Sequence, residues 1–448
     1  MKTDRNNRKQ ASITLITLVT AGILGMVLAS YLMLVRTQNI STLRAQAWNS
    51  VLPVAEAGIE ESLIHINTTG ITNWASNGWT LSDGNYVKTR DFTNYSWSAS
   101  ITAADPPSIT VNARVPTVVG SGFFAALSLA PENSRTFNVT SRGVRVGTIK
   151  NGLFTKGMFA KSIIDLKGNN VSSDSFDSSN PLYSTGGLFD PNPAKLRDNG
   201  DIATNAGITN SISSGNANIW GRAATGPGGS VYIGPNGAIG SKAWNTGGNK
   251  GAQPGWVRDD MNVWVPDIDV PFTSGFTPTG GNIGSNHYDY LLTSGDYVID
   301  DLTLEGLKEL YVTGNARLYV TTTFAIKGNS KITIAPGGNL ELYMGGPTAS
   351  IGGNGIANLT GNAGNFVYIG LPTNTALNFS GNGTFTGVVY APSAAFSLGG
   401  SGNGVQDFIG SSVSNTVTMN GHFHFHYDEA LKKSKWSRGY IPNSWDEI

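Results

Sequence analysis

The hydrophobic pattern opens with one uninterrupted run. Residues 11–35, ASITLITLVTAGILGMVLASYLMLV, hold 25 positions without a charge. As a helix at ~1.5 Å per residue the run spans about 37 Å, enough to cross a ~30 Å hydrocarbon layer with some tilt. Lys2, Arg5, Arg8 and Lys9 precede it against Asp4 alone. That excess predicts a basic tip, residues 1–10, on the cytoplasmic side and export of the chain that follows. The run is long for a cleaved signal core, and Arg36, Gln38 and Asn39 follow in place of a small-x-small cleavage site. Within it Ala21, Gly25 and Ala29 stand four apart, the spacing at which small residues let membrane helices approach closely.

Beyond residue 35 the helical period persists while the composition changes. Ile40, Leu43, Ala47, Val51, Val54, Ile59, Leu63 and Ile66 recur at helical steps, with Gln38, Arg44, Asn49 and Glu60 between them. The pattern predicts an amphipathic helix over residues 36–67, with Pro53 as the place for a kink. Residues 68–135 read as a small β region. Partial alternation over 85–92, 95–102 and 108–115 predicts three antiparallel strands, separated by residues 91–94 and by Asp105-Pro106-Pro107.

A basic tip, an uncharged helix and an amphipathic extension carrying Ala55-Glu56-Ala57-Gly58-Ile59-Glu60-Glu61 together resemble a type IV pilin-like protein. The motif is similar to that of PilX-like minor pilins, and the likeness covers about the first 67 residues. It implies a pilin-like head at 68–135, with other pilin-like subunits and the type IV pilus assembly machinery as partners. It also implies processing at Gln10–Ala11. There the chain departs from the family pattern, with Gln10 in place of the usual Gly and Leu15 in place of the usual Glu.

From residue 136 short β-branched runs alternate with Gly and Asn. An apolar-x-Gly-Asn element recurs at 312–315, 326–329, 359–362 and 379–382, with degenerate copies at 398–401 and 419–422. Its later glycines, 361, 381, 400 and 421, are 20, 19 and 21 residues apart. A second marker, Phe366-Val367-Tyr368-Ile369-Gly370, Val388-Val389-Tyr390-Ala391-Pro392 and Phe408-Ile409-Gly410, keeps the same step. Two markers sharing a period near twenty predict a solenoid, here a right-handed parallel β-helix over residues 136–431. A loop-rich insertion is expected at 172–286 and a C-terminal tail at 432–448. A β-sandwich built of hairpins is the alternative, and it predicts no shared period. Such Gly-rich domains resemble those attached to PilX-like anchors, with Gly387-Val388-Val389-Tyr390-Ala391-Pro392 and His426-Tyr427-Asp428-Glu429-Ala430-Leu431 carrying the likeness. The fold class is therefore mainly β behind an N-terminal helix.

Composition narrows the function. Gly 57 and Pro 19 disfavour a helical bundle, and Lys+Arg 30 against Asp+Glu 30 removes the basic field that nucleic-acid binding needs. Cys 0 excludes disulfides, thiolate metal sites and Cys nucleophiles.

Candidate chemistry is sparse. His422, His424 and His426 alternate with Phe423, Phe425 and Tyr427, placing three imidazoles and Asp428 on one face of a strand. They are the candidates for metal binding. Same-face neighbours about 7 Å apart cannot all share an ion at ~2.0–2.1 Å without a bent chain, so no metal and no cofactor is assigned. Asp259-Asp260, Asp267 with Asp269, and Asp300-Asp301 sit beside turn residues, where solvation explains them. Residues 234–242 echo a phosphate loop but lack its Gly-Lys pair. Trp220, Trp244, Trp256 and Trp264 could stack on sugar rings.

The expectation is a non-enzymatic, single-pass protein of the inner membrane whose bulk reaches the periplasm or cell surface. It would be a pilus-associated subunit serving assembly or adhesion, with the lipid bilayer as one partner. The alternatives are a permanently anchored protein that binds polysaccharide or scaffolds neighbours, and a β-helical polysaccharide-acting enzyme.

Overall fold

A computed structural model describes residues 4–69, 75–118, 137–167, 170–380, 384–399, 405–420 and 422–448. The chain divides into two units, residues 1–150 with 439–448, and residues 151–438.

In the first unit a single helix, α1 (Asp4–Thr69), runs 66 residues with Pro53 inside it. Its two halves meet different surroundings. The apolar half is exposed from Ile13 to Leu34, and it is long and apolar enough to cross a membrane. The amphipathic half buries Val51, Ala55, Ile59 and Ile66 against Trp97, Ile101, Ile109 and Val111. Each Val or Ile side chain so removed from water contributes about 1.5–3 kcal/mol.

The surface beneath that helix is a sheet of six strands. Five come in chain order: β1 (Thr80–Ser82), β2 (Asn85–Asp91), β3 (Ser96–Thr102), β4 (Ser108–Val118) and β5 (Phe137–Gly152). Pairing from β1 to β5 is antiparallel throughout. In β3 burial alternates strictly, with Trp97, Ala99 and Ile101 turned toward the helix.

The sixth strand corrects the reading of a C-terminal tail. Residues Ser437–Glu447 lie beside β5 at the edge of this sheet. Asn67 near the end of α1 fixes the strand. Its Nδ2 donates to the Tyr440 carbonyl at 3.0 Å and its Oδ1 accepts the Tyr440 N–H at 2.6 Å. The strand contains Pro442, which an edge strand tolerates because one of its sides has no neighbour to bond.

In the second unit the pairings between strands of successive turns are parallel and fall into three ladders. The chain enters through one strand of each: β6 (Met158–Ala160), β7 (Ile164–Leu166) and β8 (Ser172–Phe176). The next turn lays Ile202–Thr204 on β6, Ile212–Gly215 on β7 and Asn218–Trp220 on β8. A further turn adds Ala223–Ala224, Val231–Ile233 and Ala238–Gly240.

A second series begins at Tyr290 and proceeds by parallel pairing to the strands Phe385–Gly399, Gln406–Asn420 and Phe423–Asp428. The two series join in the middle. Phe423–Asp428 pairs with β8, while Gln406–Asn420 pairs with β6 and β7. The last turn of the chain thus stacks on the first.

Between the ladders lies a continuous apolar core. Phe385, Phe408 and Phe425 stack from turn to turn, with ring centroids 4.5 and 4.4 Å apart. From residue 290 to 428 the register offsets run from 17 residues (Gln406↔Phe423) to 28 (Thr348↔Ala376), so the period near twenty lies inside a range, and the first turn is longer, with Met158↔Ile202 44 residues apart. Gly328 and Gly361 of the repeat hold positive φ, +65° and +66°, at corners where a side chain is strained. Gly381, Asn382, Gly400, Ser401 and Gly421 lie outside the described residues.

The insertion expected at 172–286 is also corrected. From β8 to Val257–Arg258 this stretch supplies strands to all three ladders. Each is only two to five residues long, too short for a run that reveals a period.

Candidate functional site

On a strand of these ladders, residues facing the core alternate with residues facing out. In Phe423–Asp428, Phe423 and Phe425 are buried in the core, so His424 and His426 point away from it, while Tyr427 is buried in a second apolar cluster with Phe154 and Leu431. Register with the turn on either side then decides their neighbours. Asp407 is the partner of His424, and Asp174 of β8 is the partner of His426. Four groups that are scattered in sequence meet on one outer face.

Their geometry is tight. Asp174 Oδ1 lies 2.7 Å from His426 Nδ1, and Asp407 Oδ1 lies 3.4 Å from His426 Nε2. His424 Nδ1 stands 3.9 Å from the same Asp407 oxygen. Among the described residues, Asp407, His424 and His426 form the one group of three His or carboxylate side chains able to hold an ion, their ligand atoms within 4.8 Å of one another.

Asp174 and His426 are buried, with side-chain exposures of 9% and 6%, whereas Asp407 and His424 are over a third exposed. Phe189, on the excursion after β8, covers His426 in a stacked contact at 4.0 Å. The group lines a cavity of about 650 Å³ whose walls include Trp220, Asn245 and Lys250.

The electrostatics follow from this enclosure. Burial acts to lower the His426 pKa, but its hydrogen bonds to Asp174 and Asp407 outweigh burial and raise it to about 9. Burial would raise Asp407, yet its contact with His426 leaves it below the usual carboxylate range. His424 is lowered, first by burial and then by the neighbouring His426 charge.

The sequence candidates divide. His424 and His426 enter the group, and their rings lean together with centroids 6.1 Å apart. His422 lies apart, its Nδ1 3.2 Å from Asn170 Nδ2. Asp428 serves as a cap: its Oδ1 accepts from the Ser178 and Ala430 N–H groups at 3.0 and 3.1 Å. The ~7 Å spacing expected of same-face neighbours does not describe His424 and His426, whose ligand atoms lie within 4.8 Å of each other and of Asp407. That expectation also missed that adjacent turns supply Asp407 and Asp174. Matching the inward Phe408 with Phe425 was the available signal, because it sets Asp407 beside His424.

Of the acidic pairs, Asp300 accepts from Thr321 and Asp301 from Thr303, each at 2.6 Å, and neither joins a cluster. Of the tryptophans, Trp220 reaches the cavity, Trp256 lies under the Arg222 guanidinium at 5.0 Å, and Trp264 is exposed.

In α1, Ala21, Gly25 and Ala29 are exposed, with open space where a Gly25 side chain would lie. Gln10 and Ala11 belong to the helix, but their side chains fall outside the described residues. In the segment 55–61, Ala55, Gly58 and Ile59 are buried, while Glu56, Ala57 and Glu60 are exposed.

Comparison with known proteins adds little to this geometry. Residues 277–434 match a family model described as "Domain of unknown function (DUF7305)". The match takes in Asp407, His424 and His426 and leaves out Asp174. None of the curated proteins matches the chain. Among solved structures, the competence-associated pilin ComZ from Thermus thermophilus aligns over 90% of this chain and 98% of its own, at 12% identity. Its TM-score is 0.26, at which the likeness carries no argument.

Proposed function

We propose that this chain is a non-enzymatic, pilin-like subunit of a bacterial envelope. Residues 11–35 anchor it in the inner membrane, residues 1–10 stay cytoplasmic, and the remainder is exported to the periplasm or cell surface. In this reading its partners are the bilayer, other pilin-like helices and a type IV pilus or related assembly machine.

The observation that supports the reading is the division of α1. One half leaves Ile13 to Leu34 exposed among the described residues, and the other packs on an antiparallel sheet. Exposed apolar surface on that scale needs lipid or other helices around it.

The three ladders of residues 151–438 are, in this account, the faces of a parallel β-helix. It is right-handed, the hand that parallel crossover connections overwhelmingly adopt. It serves assembly or adhesion.

Because the chain has Cys 0, single-cysteine labelling tests the topology cleanly. With a membrane-impermeant maleimide on spheroplasts, Thr80→Cys is expected to react, and Asn6→Cys only after lysis. Equal labelling of both in intact spheroplasts overturns the anchored reading.

A further inference from the structure

We infer that Asp407, His424 and His426 form a binding site for one divalent transition-metal ion of the Zn²⁺ class, with Asp174 as the group that orients His426. The donor set comes first. Two imidazole nitrogens and one carboxylate suit Zn²⁺ and its neighbours, and do not suit Mg²⁺ or Ca²⁺, which take oxygen ligands.

Spacing is the second argument. Ligands bound at ~2.0–2.1 Å in a tetrahedron stand about 3.3–3.4 Å from one another. His426 Nε2 and Asp407 Oδ1 are 3.4 Å apart, already at that separation. His424 Nδ1, at 3.9 Å from Asp407 Oδ1 and with all three ligand atoms within 4.8 Å of one another, needs to move in by about half an ångström toward Asp407 and by up to about 1.4 Å toward His426 to reach the same tetrahedral spacing. The His424 and Asp407 side chains are over a third exposed and have room to move.

The third argument is the support behind the site. A metal-bound imidazole usually donates its other N–H to a carboxylate or carbonyl, which fixes its tautomer and direction. His426 has this arrangement, with Nδ1 held by buried Asp174 at 2.7 Å and Nε2 turned toward Asp407. Phe189 stacked on the ring blocks its rotation from the outside.

Three protein ligands leave a fourth position, and the group lines the cavity shared with Trp220 and Lys250. That position takes water or an oxygen donor of a ligand lying in the cavity. The site stands independently of the anchor, since all four residues belong to the unit spanning 151–438.

The test is calorimetric titration of untagged, full-length protein in detergent, stripped with EDTA, using Zn²⁺ alone and Mg²⁺ as control. One Zn²⁺ per chain is expected, with no response to Mg²⁺. Asp407→Asn and His424→Gln are each expected to weaken binding by at least about tenfold, and Asp174→Asn by roughly 10- to 100-fold. Co²⁺ should give the intense visible bands of a four-coordinate site, lost in the same variants. Circular dichroism verifies that the Asp407 and His424 variants, both at exposed side chains, remain folded.

Absence of Zn²⁺ binding by folded wild-type protein overturns the inference and leaves a His426 cation bridging two carboxylates. Wild-type affinity in the Asp407→Asn/His424→Gln double variant overturns it as well, because the ion then binds elsewhere.

Discussion

Asp174 and His426 stand 252 positions apart in the chain, yet Oδ1 of one and Nδ1 of the other are 2.7 Å apart. They are register partners across the pairing that joins the first turn of the ladders to the last. Both side chains are buried, so the pair ties the two series of turns together where they meet.

Truncating this carboxylate should loosen that junction. A hydrogen bond between charged groups contributes about 1.5–3 kcal/mol, so Asp174→Ala in EDTA-treated protein is expected to lower amide protection roughly 10- to 150-fold. Hydrogen exchange of the peptides covering 172–176 and 423–428 reads the change. Unaltered protection would place the stability of the junction in its apolar contacts alone.

Gly58 should resist enlargement. A Cβ there would sit 2.8 Å from Val111 Cγ1 and 3.2 Å from the Trp97 ring. Gly58→Val is expected to destabilise the first unit by about 1–3 kcal/mol through overpacking. Gly58→Ala should cost less, because alanine regains ~1 kcal/mol of helix propensity. Thermal denaturation of both variants checks the order Val below Ala below wild type.

Gly410 carries the corresponding prediction for the ladders. It holds φ +144° opposite its register partner Gly387, whose carbonyl a Cβ would strike. Gly410→Ala is expected to cost more than about 1 kcal/mol, from backbone strain and from the separation of two turns. A shift in the chemical denaturation midpoint measures it, and an unchanged midpoint contradicts the turn-to-turn contact.

Acid should weaken the first unit through Glu61. Burial acts to raise this carboxyl, but hydrogen bonds from Arg90 and Lys88 and their charges hold it below the usual range. A carboxylate with a depressed folded-state pKa stabilises above its unfolded value, near 4.5, and that contribution is lost as pH falls through the folded value. The pair is partly solvated, so about 0.5–1 kcal/mol is at stake. Glu61→Gln is expected to lower stability at pH 7 and leave it nearly unchanged at pH 3. A constant difference across that range would contradict the ion pair.

The helix and the antiparallel strands were legible because their periods are long. Twenty-five uncharged positions, and the alternation of Trp97, Ala99 and Ile101, each repeat enough times to stand out. The short strands from β8 to Val257–Arg258 were not legible, since runs of two to five residues carry no period. Their strand character comes from the turns stacked on either side. For the same reason the site was half visible. His424 and His426 mark one strand in sequence, while Asp174 and Asp407 join them only through parallel register. The final strand carries no alternation of buried and exposed positions to mark it; it lies beside β5, with Asn67 bonding Tyr440 from the end of α1.

The most direct test of the pilin-like reading is mass spectrometry of the protein's N-terminus in sheared surface filaments and in inner membranes, side by side. The account predicts a chain beginning at Ala11 in the filament fraction, released at the Gln10–Ala11 junction. A chain retaining Lys2 to Gln10, found in the membrane and absent from filaments, would contradict the filament role.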